Sequence, residues 1–329
     1  MIQWLPGSAA AMPYSNLFIF GDSLADSGNN AIALDNSGPP PGTLRTQTPM
    51  LNPVQISTLP YSSNRYSNGP VWTEYFAGRM GLSALPSLAG GTNFAFGGAN
   101  TGPYGSGFPY SMLDQVSFFM AGTGGIAPSN ALYVLEGGGN DARGIIEMAA
   151  MGGDPGAWIA GYAANVANII GQLKAAGAHD ILLMNVPDIS RIPAIQALGP
   201  ALAAQAQMLV AAMNGALGNA LAGMSPAQKD GIHFFDLFGL MDDVYAHPGS
   251  YGLTDVHDAC GAIAACVADP TGYFFWDGIH PTTAVHEILG NAAFASLQIP
   301  EPSSLILALL AVGMLGFSRT RRGGARHGF

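Results

Sequence analysis

Charged residues are scarce in this sequence. Lys, Arg, Asp and Glu make up 10% of its 329 residues, and 11 basic residues stand against 21 acidic ones, for a formal net charge of −10. A nucleic-acid partner requires a basic patch that displaces counterions from phosphates, so this balance argues against that class of ligand. Since the chain has 45 glycines and is 49% hydrophobic, we expect a sizeable core beneath a surface of small and neutral polar side chains. Such a surface suits an extracellular protein.

Cysteine is also rare, with two residues in the whole chain. Cys260 and Cys266 are close in sequence and are flanked by Gly and Ala, which leave the backbone free to bring the two thiols together. We therefore expect a local disulfide, with two reduced thiols as the alternative. No second Cys or His cluster stands beside them at ligand spacing, and no HExxH pattern occurs. The sequence therefore predicts neither a zinc site nor another bound metal.

The amino terminus has little of what a signal peptide needs. Ser8 to Ala11 is typical of the small-residue region at which signal peptides are cleaved, yet no basic or long apolar region precedes it. We interpret residues 1–13 as the remnant of a signal or leader region whose start lies further upstream. A chain without a leader is the alternative.

The carboxyl end has an apolar run that is short for a membrane span. Leu305 to Phe317 is 13 residues long, which reaches roughly 20 Å against a bilayer core of about 30 Å. A Pro-Glu-Pro sequence at Pro300 precedes the run and four arginines follow it. Residues 299–329 thus resemble a PEP-CTERM sorting tail, with a frayed terminal helix as the alternative. The resemblance implies a processing enzyme of the exosortase type, transient contact with the inner membrane, and export to the cell surface or an extracellular matrix.

Short apolar runs that end in glycine or polar residues recur along the chain and indicate buried strands. The predicted strands are Leu17–Phe20, Asn93–Phe96, Ala131–Leu135, Ile181–Val186 and Ile232–Phe235. Several of them alternate with segments of helical periodicity, which predicts a parallel sheet covered by helices in one α/β domain over residues 14–298. In such sheets, sites form at the carboxyl ends of the strands.

Helices are predicted from apolar residues at helical spacing and from their start signals. They begin near Pro70, Asp154 and Pro281, and a further long helix covers Leu202 to Leu221. Residues 31–71 are rich in Pro, Gly, Ser, Thr and Asn and have no sustained period. We predict a long loop there, lying over the active face.

Four short sequences at the strand ends and near the carboxyl terminus carry a family resemblance. They are NLFIFGDSLADSGNN around Ser23, NFAFGGAN around Gly98, GGGND around Asn140, and WDGIHPT with Asp277 and His280. Together and in this order they resemble the motifs of the GDSL, or SGNH, esterases and lipases. The segment LPYSSNRYSNGPVWTEYFA is similar to the one that follows the nucleophile block in plant-type and bacterial members. A phosphate-binding loop is the competing interpretation of GGGND, but no Lys followed by Ser or Thr comes next.

The resemblance implies a flavodoxin-like three-layer α/β/α sandwich that hydrolyses carboxylic esters through a covalent acyl-serine, with no cofactor. Ser23 would attack the ester, His280 would act as base and then as acid, and Asp277 would orient the imidazole. The expected substrate is a small-molecule ester, a lipid ester or an acylated polysaccharide. An acyltransferase with the same residues and a non-catalytic surface or matrix protein that kept the fold are the alternatives.

The resemblance also implies an oxyanion site made of the backbone N–H groups of Ser23 and Gly98 and the side-chain amide of Asn140, with Gly97 as the alternative to Gly98. The other histidines have no comparable partners in the sequence. We predict that they are surface or core residues: His179, His233, His247, His257 and His286.

Overall fold

Four parallel strands form the central sheet in the order β1-β2-β3-β4. They are β1 Asn16–Phe20, β2 Ala131–Leu135, β3 Asp180–Met184 and β4 Ile232–Phe235. The computed structural model describes residues 14–36, 52–103 and 107–297. The predicted leader, the predicted sorting tail and part of the predicted long loop lie outside these residues.

The register brings the carboxyl ends of the strands to one edge of the sheet. Phe20 of β1 pairs with Leu135 of β2, which pairs with Leu183 of β3. Every residue of β2 is buried, and successive side chains of a strand point to opposite faces. Helices therefore cover both faces, as the predicted parallel α/β architecture requires.

The helices are distributed along the whole described chain. Those before β3 are α1 Asn29–Asn36, α2 Trp72–Arg79, α3 Met112–Thr123, α4 Gly139–Ala150 and α5 Gly156–Ala176. Those after it are α6 Pro193–Gln196, α7 Pro200–Gly223, α8 Pro226–Lys229, α9 Leu237–Ala246, α10 Ala264–Ala268 and α11 Thr283–Ser296. Within the described ranges, no helix combines the length and the apolar character that a bilayer span requires.

A smaller two-stranded sheet lies near the carboxyl end of the domain. Its strands are β5 Asp255–Ala259 and β6 Tyr273–Phe275, which pair in parallel. Short 3-10 turns cover Ser87–Ala89, Ile189–Arg191, Pro248–Tyr251 and Cys260–Ala262. The chain leaves β6 directly into the WDGIHPT turn, so this small sheet sets the direction of that turn.

The segment predicted as the strand Asn93–Phe96 is not a regular strand. It follows the edge of β1 that faces away from β2, where Phe94 N–H donates to Ile19 O at 2.7 Å and Phe96 N–H donates to Gly21 O at 3.2 Å. The side chain of Asn93 accepts from Ala95 N–H at 2.9 Å and donates to Ala25 O at 2.7 Å. These local bonds take backbone groups that a ladder would use, so the segment makes an isolated bridge instead.

The predicted long loop is helical at its beginning, because α1 extends to Asn36. Asp26 accepts hydrogen bonds from the backbone N–H groups of Gly28, Asn29 and Asn30, and such an acceptor stabilises a helix start. The apolar periodicity that would have indicated this short polar helix is weak. Residues 52–71 are turns and extended chain, as predicted for a loop.

Candidate active site

Ser23 lies in the turn that follows β1. The turn begins at Gly21, whose backbone N–H and C=O are both hydrogen bonded by the side chain of the buried Gln115, each at 2.9 Å. Asp22 O then accepts from the N–H groups of Ala25 and Asp26 at 3.1 and 3.0 Å. These bonds hold the Ser23 side chain at the end of the sheet, where it is 7% exposed.

His280 and Asp277 reach Ser23 from the turn after β6. His280 Nε2 lies 2.9 Å from Ser23 Oγ, and His280 Nδ1 lies 2.7 Å from Asp277 Oδ2. The other carboxylate oxygen, Oδ1, accepts from the N–H groups of Ile279 and His280 at 2.8 and 2.7 Å. The structure therefore brings together the three residues that the sequence predicted, as a chain of hydrogen bonds from carboxylate to imidazole to hydroxyl.

The carboxyl of Asp277 is held in its charged form. Burial acts to raise its pKa, but the charge and hydrogen bond of His280 and the two backbone N–H donors outweigh burial, so the pKa lies below its ordinary value. An ionised carboxylate accepts a hydrogen bond from Nδ1–H and leaves Nε2 as the acceptor that faces Ser23 Oγ.

Two neighbouring glycines at the start of the NFAFGGAN turn differ in what their N–H groups do. Gly97 N–H donates to Asp26 Oδ2 at 3.0 Å. Gly98 has a φ of +83°, and within the described residues its N–H has no hydrogen-bond partner. The N–H of Ser23 is likewise without a partner in the described part of the chain. Of the two glycines, Gly98 is the one whose backbone N–H is unpaired among the described residues.

Asn140 connects this turn to the end of β2. Its Nδ2 donates to Ala99 O at 2.9 Å and lies 3.4 Å from Asp22 Oδ2, while its Oδ1 lies 3.4 Å from Arg143 Nη1. The first bond fixes the orientation of the amide. Because the second contact of Nδ2 is long, one N–H of the amide is available to a ligand.

Two carboxyl groups, those of Asp22 and Glu136, are buried beside Ser23. Asp22 follows β1 and Glu136 follows β2, and both are at most 3% exposed. Burial raises the pKa of Asp22 to about 6, against the opposing effects of Leu24 N–H and His280. Burial and the neighbouring Asp22 raise the pKa of Glu136 well above its ordinary value. Neither residue was predicted from the sequence to have a role, although the pairing of two strand ends places their side chains together.

A pocket of about 780 Å³, partly open to solvent, adjoins Ser23 and His280. Its polar wall contains Asp22, Glu136, Asn140 and Arg143. Much of the remaining wall consists of apolar side chains that include Ile189, Ile192, Leu237, Met241, Phe274 and Leu289. Sequence periodicity could not single these out, because they come from four separate segments between β3 and α11.

The remaining predictions concern the two cysteines, the other histidines and metal binding. The sulfur atoms of Cys260 and Cys266 lie at disulfide distance, which supports the expected pairing. His286 is buried, its Nδ1 accepts from Trp72 N–H at 3.2 Å, and burial together with His280 lowers its pKa to about 3, so it is a neutral core histidine. His179, His247 and His257 are exposed, and His233 is half-buried. Among the residues described, no group of His, Cys, Asp and Glu could hold a metal ion.

Relatives of this chain are found among esterases, lipases and an acyltransferase. A thermolabile hemolysin of Vibrio parahaemolyticus is 27% identical over 84% of this chain and 62% of its own length. A phosphatidylcholine-sterol acyltransferase of Aeromonas hydrophila is 23% identical over 87% of this chain and 90% of its own length. The chain spans 51% to 62% of the length of the first curated relatives that it matches.

A solved structure with a similar chain is Axe2, an acetylxylan esterase from Geobacillus stearothermophilus. It is 14% identical, with a TM-score of 0.46 over 88% of this chain and 98% of the esterase. A similarity at this level carries no information about the substrate. Residues 298–322 match the PEP-CTERM protein-sorting motif.

The family assignment rests on the longest match. The model of the GDSL-like lipase/acylhydrolase family matches residues 17–293, which include all the motifs that meet at the end of the sheet. The chain therefore belongs to the GDSL-like lipase/acylhydrolase family.

Proposed function

We propose that this protein hydrolyses carboxylic esters through a covalent acyl-serine intermediate, with Ser23, His280 and Asp277 as the catalytic residues. One observation carries the proposal: Ser23 Oγ, both nitrogens of His280 and Asp277 Oδ2 form a continuous chain of hydrogen bonds at 2.9 and 2.7 Å. A serine hydroxyl becomes an effective nucleophile when a base with the correct tautomer lies within this reach.

In the first half of the reaction, Ser23 Oγ attacks the carbonyl carbon of the ester while His280 Nε2 takes the hydroxyl proton. Asp277 holds the Nδ1 proton and stabilises the imidazolium that forms. The tetrahedral intermediate collapses, the bond to the alcohol oxygen breaks, and His280 returns the proton to the leaving alcohol. Water, activated by the same imidazole, then attacks the acyl-serine and releases the acid.

The negative charge that develops on the carbonyl oxygen needs donors. The N–H groups of Ser23 and Gly98 and the amide of Asn140 are proposed for this role, because the first two have no partner among the described residues and the third is oriented by Ala99 O. Loss of one such donor reduces kcat by roughly 100- to 1000-fold in other enzymes.

The pocket favours an apolar acyl group over acetyl. The wall that includes Ile192, Leu237, Met241 and Phe274 would remove an acyl chain from water, which stabilises the complex by about 0.8 kcal/mol per buried methylene. Of the substrates that the sequence left open, an ester of a medium-length or longer acyl chain fits this wall better than a short acyl ester or an acetylated polysaccharide does.

The test is hydrolysis of p-nitrophenyl esters of graded acyl length by wild type, Ser23→Ala and Ser117→Ala. Ser117 is an exposed serine of α3, so its variant is the matched control and should retain full activity. We expect activity to rise beyond acetyl, and Ser23→Ala to lose roughly 1000-fold or more. Full activity of Ser23→Ala would refute the mechanism, and a maximum at acetyl would refute the acyl-chain assignment alone.

A second candidate function is transfer of the acyl group to an alcohol other than water. The relative from Aeromonas hydrophila is named as an acyltransferase and is matched over 90% of its length, which supports keeping this candidate. The acyl-serine would form in the same way, and an alcohol bound in the pocket would replace water in the second half. Adding an alcohol and separating the products distinguishes the two: a new ester indicates transfer, whereas free acid alone indicates hydrolysis.

The match of residues 298–322 to the PEP-CTERM motif supports a proposal about location. In it, an exosortase-type enzyme cleaves the chain near Pro302, and the mature esterase lies on the cell surface or in an extracellular matrix. Intact-mass measurement on protein from the native host tests this. A full-length chain ending at Phe329 in the cytoplasm would contradict processing and leave the esterase proposal untouched.

A further inference from the structure

Residues 52–71 lie against the turn that carries Asp277 and His280. Gly278 N–H donates to Gln55 O at 2.7 Å, and a Cβ on Gly278 would come within 2.5 Å of the same oxygen. Further along, Ser67 Oγ donates to Pro281 O at 2.8 Å. The two segments are thus hydrogen bonded on both sides of His280, once through backbone groups and once through the Ser67 hydroxyl.

Tyr61, within this segment, contacts the Asp277 carboxylate directly. Its hydroxyl donates to Asp277 Oδ2 at 2.8 Å, the oxygen that also accepts from His280 Nδ1. Tyr61 is 4% exposed, and a hydrogen bond to an ionised acceptor in a buried place is stronger than a neutral one. Among the described residues the carboxylate therefore has four donors, and Tyr61 is the one that belongs to neither its own turn nor His280.

The position of Tyr61 is fixed from several sides. Its ring packs edge-on against Trp276, with centroids 5.9 Å apart, in a buried cluster with the Cys260–Cys266 disulfide. Its backbone N–H donates to Arg65 O at 2.8 Å. Gly261 N–H, between the two cysteines, donates to Trp276 O at 2.8 Å. The hydroxyl is thus held by a rigid neighbourhood and cannot easily follow a displaced carboxylate.

We infer that Tyr61 is a positioning residue for ester hydrolysis, which acts through Asp277 by holding Oδ2 against His280 Nδ1. The inference rests on the proposed function. The hydrogen bond from the Tyr61 hydroxyl also lowers the negative charge density on the Asp277 carboxylate. Without this hydrogen bond, the negative charge that faces His280 is larger, and the imidazolium is stabilised relative to the neutral imidazole. Because His280 must be neutral to act as base, the acid limb of kcat/KM then moves to higher pH.

The first test compares Tyr61→Phe with Tyr133→Phe, and the two variants each remove one hydroxyl and keep the ring. The Tyr133 hydroxyl donates to Pro128 O at 2.9 Å, at the other end of β2, so its loss should leave catalysis unchanged. For Tyr61→Phe we expect kcat to fall roughly 10-fold with KM nearly unchanged, and the acid limb to move to higher pH. Wild-type kcat, or a lower kcat with an unmoved acid limb, would overturn the inference, since the latter is what a purely structural role gives.

The second test does not depend on esterase activity. In a Ser23→Ala background, the His280 ring is titrated by NMR with Tyr61 present and with Tyr61→Phe. We expect the pKa of His280 to be higher in Tyr61→Phe and the Nδ1 proton resonance to shift. An unchanged titration and resonance would overturn the positioning role even if the protein is an esterase. A changed titration in a protein without esterase activity would uphold the contact and refute the proposed function instead.

Discussion

Gly97 donates its backbone N–H to Asp26 Oδ2 at 3.0 Å, whereas the N–H of the adjacent Gly98 has no partner among the described residues. The sequence left Gly97 and Gly98 as alternatives. With the Gly97 N–H engaged, the oxyanion role is proposed for Gly98. Asp26 also accepts from N–H groups at the start of α1, so one carboxyl links the helix to the NFAFGGAN turn.

Alanine at the two glycines should have different effects on stability. A Cβ on Gly97 would lie 2.1 Å from the ring of Tyr66, whereas one on Gly98 would meet Pro109 Cγ at 3.2 Å under a φ of +83°. We expect Gly98→Ala to lose about 1 to 2 kcal/mol from the positive φ, and Gly97→Ala to lose more through overpacking. Urea denaturation measures both.

The control for this pair is Gly122→Ala in α3, where a Cβ meets nothing within 4 Å. Since alanine is the better helix former, that variant should be as stable as wild type or more stable. Equal stabilities of Gly97→Ala and Gly98→Ala would show that the Tyr66 contact does not constrain the turn.

Asn140→Ala tests the amide donor. We expect kcat to fall roughly 100- to 1000-fold with little change in the free energy of unfolding, because the side chain lies at the pocket wall. Asn168→Ala, at an exposed position of α5, should leave kcat unaltered. A wild-type kcat for Asn140→Ala would mean that this residue only shapes the turn.

Glu136 should make stability depend on pH. Its pKa is raised by burial and by Asp22, so its contribution to folding is full below the ordinary carboxyl pKa and is lost as the pH rises through the raised value. The side chain in Glu136→Gln is neutral at both pH values, so folding buries no charge at this position. We therefore expect the free energy of unfolding to fall less between pH 5 and pH 8 in Glu136→Gln than in wild type.

Urea denaturation at the two pH values measures this difference, and Glu147→Gln, at an exposed position of α4, is the control. The control should follow wild type. If Glu136→Gln also follows wild type, folding does not raise the pKa of Glu136.

The strands and long helices could be predicted because local sequence determines them. Ile232–Phe235 was predicted with the observed bounds, and the helix predicted from Asp154 ends at Gly177, which has a φ of +113°. The helix α4 was not predicted, because it begins inside the GGGND glycine run, and glycine disfavours helix formation locally.

The site was predictable to the extent that its residues fall in motifs. Ser23, Asp277 and His280 do, and the structure brings them together. Tyr61 lies 216 residues from Asp277 in the chain, and no local pattern connects the two. Such a contact depends on how the segment 52–71 packs, which only the tertiary structure specifies.

The disulfide should add a limited amount of stability. Closing a loop with a sequence separation of 6 residues restrains the unfolded chain only modestly, so replacing both Cys260 and Cys266 by Ser should cost about 2 to 3 kcal/mol at most. Thiol titration of the denatured, unreduced protein should find no free thiol. Two free thiols in exported protein would contradict the pairing.

The central claim is that Ser23 is a nucleophile activated by His280. Labelling with a fluorophosphonate followed by peptide mass spectrometry tests it directly, because only a base-activated hydroxyl reacts readily at neutral pH. We expect one adduct, on Ser23, that is absent from Ser23→Ala and strongly reduced in His280→Gln. An adduct on another serine, or none on folded wild-type protein, would contradict it.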